Sequence, residues 1–155
     1  MPSHSSPLPL PSSPPMPVIW LGYGGLLPFV ALAAIGLWAP GTPHWSAALQ
    51  AYGAVILSFV GALHWGFAMS LGGLSSAERT RCFVWSVVPS LLAWPTVLLP
   101  PAGGAALLVA GYVAHLAQDY RLGAGQSLPA WYLPLRLRLT ATACVCLAVG
   151  AIAAS

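Results

Sequence analysis

The chain has 155 residues, of which 5% are charged and 58% are hydrophobic, and its mean hydropathy is +0.81. A soluble domain carries about 25% charged residues, so this chain has too few charges to cover a globular surface in water. The same scarcity excludes an extended nucleic-acid interface, because such an interface needs many Lys or Arg side chains facing phosphates. The composition therefore indicates an integral membrane protein.

Residues 1–17 are rich in proline and serine and lack the basic stretch of a signal peptide. This composition predicts a disordered, partly polyproline-like tail. Five apolar segments follow, each near the ~20 residues that cross a hydrocarbon core of about 30 Å. They cover approximately 18–38, 45–70, 82–99, 102–120 and 133–154. Residues 18–155 are therefore predicted to form an all-α membrane protein, a compact bundle of five transmembrane helices.

All charged residues fall in three groups, at 78–81, 119–121 and 136–138. With five spans, these groups share one side of the membrane with the N-terminus, and the opposite side carries no Arg. Because Arg is enriched in cytoplasmic loops, we predict a cytoplasmic N-terminus and a C-terminus outside. Aromatic residues near the segment ends fit the belts of membrane interfaces. These are Trp38, Trp45, Trp131 and Tyr132.

The second segment has a small residue at every fourth position, which lets a neighbouring helix approach closely. This candidate helix-packing face consists of Ala54, Ser58, Ala62 and Gly66. A contact within one chain is favoured, and a seam between two copies is the alternative.

Ionisable side chains inside a membrane helix are costly and therefore mark candidate functional sites. His64 lies in the second segment, whereas His115 and Asp119 share one face of the fourth because they are four residues apart. Both histidines are expected a few residues below the cytoplasmic surface, where Arg136 begins the fifth segment. The sequence predicts one polar pocket of these four residues in the cytoplasmic leaflet.

Several uses of this pocket remain open. Two neutral imidazoles on different helices, His64 and His115, are candidate ligands of a haem iron or a metal. A histidine beside a carboxylate can pass protons, and an arginine beside a histidine suits an anionic lipid head group or a quinone carbonyl. The simplest interpretation is that the four side chains hold helices together. We therefore predict no metal, and keep haem or a quinone as alternative cofactors.

Motifs of metalloproteases, serine hydrolases and nucleotide-binding loops are absent from the sequence. Two acids in the whole chain also leave little for acid–base catalysis. We predict that the protein is not an enzyme and has no catalytic residue.

Four stretches, 21–29, 52–66, 86–90 and 128–136, have a distinctive combination of residues. They resemble the "transmembrane protein 69"-like family of small multi-pass membrane proteins of bacteria and mitochondria, which is a domain of unknown function. The resemblance covers about residues 20–150 and implies a membrane fold without an established activity. The positions that match the motifs are Tyr52, Ser58, His64, Trp65, Asp119, Trp131, Tyr132 and Arg136.

The leading functional prediction is a non-enzymatic accessory or assembly factor that acts through helix contacts with another membrane complex. A quinone-, lipid- or haem-binding protein using the predicted pocket is the first alternative, and a small transporter is the second. The expected partners are the lipid bilayer and another membrane complex, with no nucleic acid. The absence of Lys, which leaves Arg as the only basic residue besides His, and the abundance of Ala and Leu favour a bacterial inner membrane. The mitochondrial inner membrane is the alternative.

Overall fold

A computed structural model describes residues 13–126 and 128–154, and every regular element within those ranges is helical. The helices are α1 (Met16–Gly24), α2 (Leu27–Trp38), α3 (Pro43–Ser70), α4 (Ser76–Ala93), α5 (Pro101–Gly125) and α6 (Tyr132–Ala153). A 3₁₀ segment, Trp94–Leu98, continues α4. Most of the predicted tail, residues 1–12, lies outside the described residues, and α1 already begins within its last two residues.

Four stretches of the described chain are helical, long and apolar enough to cross a membrane. They are Met16–Trp38, His44–Ser70, Ser76–Leu98 and Tyr132–Ala153. The prediction of an all-helical membrane protein is thereby confirmed. Helix α5 has 25 residues but a more polar composition, and it is not one of the four.

The first apolar segment contains a break between α1 and α2, which the sequence prediction treated as one continuous helix. Pro28, in the first turn of α2, has no N–H to donate to the turn before it. In addition, the carbonyl of Gly25 accepts a hydrogen bond of 2.9 Å from the hydroxyl of Tyr52. Together, the proline and this cross-helix bond account for the break.

Helix α4 begins at Ser76, whereas its apolar segment begins at Cys82. The additional turn is stabilised by a capping box: the backbone N–H of Glu78 donates to Oγ of Ser75, and the backbone N–H of Ser75 donates to the Glu78 carboxylate. The charged group at 78–81 consequently lies on a helix rather than in a loop.

The charged groups on α4 and α5 lie at one end of the bundle, hereafter the charged end. The guanidinium of Arg79 donates to backbone carbonyls of Ala68 and Leu71, at the end of α3. The side chain of Gln126, just after α5, lies 3.5 Å from the carbonyl oxygen of Gly73 in the α3–α4 turn. The end of α3, the start of α4 and the end of α5 therefore meet.

Helix α3 is the centre of the bundle and packs against α2, α4, α5 and α6. Its closest contacts run along a stripe that the sequence did not predict. A Cβ added at Gly53 would lie 3.1 Å from Leu147, and one added at Gly61 would lie 2.8 Å from Pro89 of α4. Leu57, between these glycines, occupies the space that Gly111 of α5 leaves open.

The predicted packing face of α3 is a contact within the chain only in its first half, and the alternative of a seam between two copies stays a prediction. Ala54 is buried and Ser58 is half-buried, but Ala62 and Gly66 are exposed, and no atom of the described residues lies within 4 Å of a Cβ added at Gly66. The reason is that α3 packs by placing a large side chain, Leu57, opposite a glycine of its neighbour. A row of small residues is therefore not what brings the helices of this chain together.

Candidate functional site

The four residues of the predicted pocket are brought together between α3, α5 and α6. His64 lies six residues before the end of α3, and Asp119 lies six residues before the end of α5. At 1.5 Å per residue, both lie about 9 Å from the charged end. His64 is 2% exposed, His115 and Asp119 are 0% exposed, and Arg136 is 6% exposed. We refer to these four residues as the polar cluster.

Asp119 is the centre of the polar cluster. Nε of Arg136 donates to Oδ2 of Asp119 over 2.8 Å, forming a buried ion pair. The hydroxyl of Tyr132 donates to Oδ1 over 3.3 Å. Nε2 of His64 and Nε2 of His115 each lie 3.9 Å from the same Oδ1. Three helices thus direct polar groups at a single carboxylate.

Trp85 of α4 also belongs to the site. Its indole Nε1 donates a hydrogen bond of 3.0 Å to Nδ1 of His115. Because an indole N–H can only donate, Nδ1 must be the unprotonated acceptor. The proton of the neutral His115 imidazole is therefore on Nε2, on the side that faces Asp119.

Tyr132 and Trp85 were not predicted as site residues. Tyr132 was assigned to the membrane interface, but its hydroxyl reaches Asp119 and its ring packs on Phe67, with centroids 5.7 Å apart. The other predicted interface residues differ: Trp38 is 92% exposed, and Trp45 and Trp131 are half-buried. In sequence, Tyr132 could have been distinguished by its spacing of four from Arg136, which places both on one helix face.

The polar cluster contains a triad with the donor types of a metal site. The candidate ligand atoms of His64, His115 and Asp119 all lie within 4.8 Å of one another. A metal-bound histidine usually donates its other ring N–H to an acceptor. Here the other nitrogen of His115 accepts from Trp85, so its Nε2 carries a proton and has no lone pair for a metal. The hydrogen bonding therefore favours a donor site over a metal centre.

The same rings do not fit axial ligation of a haem. A haem held by two histidines would place its flat macrocycle between the imidazoles. The His64 and His115 rings instead meet edge to face, with centroids 4.9 Å apart. A macrocycle could enter only if α3 and α5 moved apart.

Several atoms of the polar cluster have no hydrogen-bond partner among the described residues. They are both ring nitrogens of His64, Nε2 of His115 and Nη2 of Arg136. Buried polar atoms are almost always hydrogen-bonded, and leaving one unpaired costs about 1–3 kcal/mol. The cluster therefore presents unused hydrogen-bonding capacity, most of it donors.

A cleft at the charged end leads towards the polar cluster. It is shallow, with a cavity volume of about 10 Å³, which is room for about one water molecule, and its walls come from α3, α4 and α5. The lining residues are His64, Arg81, Cys82, Trp85, Gln118, Arg121 and Leu122. His64 is shared by the cleft and the cluster, so the cleft is where the buried groups come closest to the surface.

Comparison with known proteins places this arrangement in a family. No solved structure matches the chain. Transmembrane protein 69 from Xenopus tropicalis is 35% identical over 133 residues, which are 83% of this chain and 51% of that protein. The chain thus spans about half the length of this curated relative. A family model described as "Protein of unknown function (DUF3429)" matches residues 14–152, which include the whole polar cluster. The family resemblance found in the sequence is confirmed, and the chain belongs to the DUF3429 family.

Proposed function

We propose that this chain is a non-enzymatic binding protein of the membrane, and that its polar cluster holds a ligand through the ligand's oxygen atoms. The observation that carries this proposal is the set of buried, unpartnered atoms on His64, His115 and Arg136. Buried polar groups of this kind take a partner from the chain, from ordered water or from a ligand, and their clustering on three residues supports a ligand. The binding alternative is therefore preferred here to the accessory role.

The chemistry of the unpartnered atoms narrows the ligand class. Nη2 of Arg136 can only donate, and Nε2 of His115 donates because Trp85 fixes its tautomer. An acceptor oxygen, such as a quinone carbonyl or an oxygen of a lipid head group, complements these donors. A cation does not.

The proposal includes five transmembrane spans, with α5 as the fourth along the chain. Its 25 residues extend about 37 Å, which exceeds a hydrocarbon core of about 30 Å. The polar residues that lower its apolar character, His115 and Asp119, are buried inside the bundle. Its lipid-facing side includes Val113, which is 54% exposed. The side chains that face lipid are thus compatible with a span.

The Arg distribution supports a cytoplasmic charged end, which would place the polar cluster in the cytoplasmic leaflet. The amino-acid composition supports a bacterial inner membrane, and the vertebrate relative supports the mitochondrial alternative. Immunodetection in fractionated source cells, beside markers of each membrane, tests the location. Recovery in any other membrane would contradict both assignments.

Native mass spectrometry of the protein, purified in a mild detergent, tests the binding function. We expect a retained small molecule that is lost in His64→Ala. His44→Ala is the matched control, because His44 is exposed at the start of α3. A wild-type protein that carries no bound molecule and retains neither added quinone nor added phospholipid would overturn the proposal. Equal retention by His64→Ala and the wild type would overturn it as well.

The accessory role is the second candidate, and helix α1 favours it. Helix α1 contains no buried residue, and Trp20 and Leu21 are 72% and 77% exposed. Only 11% of the Met16–Trp38 window is buried, compared with 39% for His44–Ser70. Because so little of this span is buried against the rest of the protein, its surface is available to a protein partner.

Photo-crosslinking in cells tests the accessory role. A benzophenone side chain at Leu21 should capture a membrane protein, whereas one at Val145, 62% exposed on α6, should capture only background. Labelling of lipid alone at both positions would reject this role.

A further inference from the structure

We infer that the cleft at the charged end binds the phosphate group of an anionic phospholipid, held between Arg81 and Arg121 above His64. This inference rests on the proposed binding function and specifies the ligand class of the same site. It combines two features that the proposed function does not use: the arginines at the mouth of the cleft and the mixed character of its walls.

The two arginines are available to an anion. Arg81 of α4 and Arg121 of α5 both line the cleft, and both are exposed. Asp119 pairs with Arg136, and Glu78 bonds to Ser75 in the capping box while its carboxylate also interacts with the charge of Arg81. An arginine guanidinium matches a phosphate with two parallel N–H donors, so two arginines facing one cleft form a phosphate-binding arrangement.

His64 supplies an independent indication that a ligand enters this cleft. It is 2% exposed, it lines the cleft, and neither ring nitrogen has a hydrogen-bond partner among the described residues. A head group whose phosphate lies at the mouth can extend a glycerol or ester oxygen to this imidazole. The ligand would satisfy a buried group that the chain itself leaves unpaired.

The walls favour a lipid over inorganic phosphate. Trp85 and Leu122 also line the cleft, and Gln118 adds an amide. A charged mouth with apolar walls suits an amphiphile better than a fully hydrated ion. Basic pockets between transmembrane helices on the cytoplasmic side are a recognised way of binding anionic head groups.

Native mass spectrometry with three defined probes tests this inference: phosphatidylglycerol, phosphatidylcholine and inorganic phosphate. The variants are Arg81→Gln, Arg121→Gln and their combination, and the control is Arg138→Gln. Arg138 is exposed on α6, in another charged group. Each charge-assisted contact that is removed should weaken phosphatidylglycerol binding about tenfold. The control should bind as the wild type does, and phosphatidylcholine should bind more weakly than phosphatidylglycerol.

The outcomes separate this inference from the proposed function. Equal retention of phosphatidylglycerol by the arginine variants and the control would overturn the inference. If His64→Ala still abolished retention of a bound molecule, the proposed function would stand. Displacement of phosphatidylglycerol by inorganic phosphate at equal concentration would identify free phosphate as the ligand and overturn the lipid assignment. A protein with no His64-dependent binding of any probe would overturn both. Because both arginines are exposed, unchanged thermal unfolding of the variants should verify their folding.

Discussion

Asp119 is one of two acids in the chain, and it is fully buried in an apolar bundle. Its ion pair with Arg136 compensates the charge, and Tyr132 adds a second donor. In the interior, removing one partner of such a pair is far more damaging than removing both, because a lone charge is left without solvent or counter-ion.

We therefore expect Asp119→Leu to lower the free energy of unfolding by about 3–5 kcal/mol. The double variant Asp119→Leu with Arg136→Leu should recover most of that loss. Thermal unfolding in detergent, followed by circular dichroism, measures the difference, and Arg138→Leu on the exposed side of α6 is the control. A double variant no more stable than the single variant would show that the pair is not an isolated electrostatic unit.

Trp85 contacts the polar cluster through its hydrogen bond to His115. Removing the indole N–H should therefore reduce the stability of the protein. Trp85→Phe keeps an aromatic ring but leaves Nδ1 of His115 without its donor. We expect a loss of about 1–3 kcal/mol in the free energy of unfolding. Trp94→Phe should be nearly neutral, because Trp94 is 71% exposed. Equal effects of the two substitutions in thermal unfolding would contradict the assigned tautomer.

The sequence was sufficient to identify the polar cluster because ionisable residues in apolar segments are rare and energetically costly. The spacing of four between His115 and Asp119 placed both on one face, as the structure has them. Trp85 could not be found in this way, since an aromatic residue in an apolar helix has the same appearance whether it faces lipid or a histidine. The rest of the site depends on which faces of α3 and α4 meet, which no single helix specifies.

Among the elements, α3 determines how the bundle packs. Leu57 fits against Gly111 of α5, and Gly61 lies against the ring of Pro89 on α4. Such complementarity between large and small side chains depends on two helices at once. That dependence explains why a repeat of small residues within α3 led to the wrong packing face.

Two glycines of α3 offer a direct comparison of the predicted and observed stripes. A Cβ at position 61 would lie 2.8 Å from Pro89, whereas a Cβ at position 66 meets no atom within 4 Å. We expect Gly61→Ala to lower the free energy of unfolding by about 1–3 kcal/mol through overpacking. Gly66→Ala should leave stability unchanged or slightly raised. If Gly66→Ala lowered the midpoint of thermal unfolding more than Gly61→Ala did, the result would support the predicted packing face that contains Gly66.

At the scale of the whole molecule, the number of spans determines where the termini lie. If α5 crosses the membrane, the chain has five spans and its termini are on opposite sides. If α5 does not cross, four spans place both termini on the same side. Four helical stretches are long and apolar enough to be spans by composition alone. Assigning α5 as a span requires in addition that its polar side chains, His115 and Asp119, are buried inside the bundle.

Paired reporter fusions test the topology. A fluorescent protein that folds only in the cytoplasm should be active when it precedes residue 1 and inactive after residue 155. A phosphatase that requires the external compartment should give the opposite pattern. Activity of the cytoplasmic reporter at both ends would contradict the fifth span.

The buried ion pair joins two helices that are consecutive in the chain. Asp119 lies near the end of α5, Arg136 lies near the start of α6, and residues 126–131 connect them. If α5 crosses the membrane, each helix entering the hydrocarbon alone would carry an uncompensated charge, at a cost below the ~2.5–3.5 kcal/mol of a helix centre because both residues lie near helix ends. Entering as a hairpin, the two helices carry a neutral pair. If α5 is a span, the hairpin predicts that chains that end before residue 136 integrate α5 less completely than chains that include α6, as protease protection of the membrane fraction would measure.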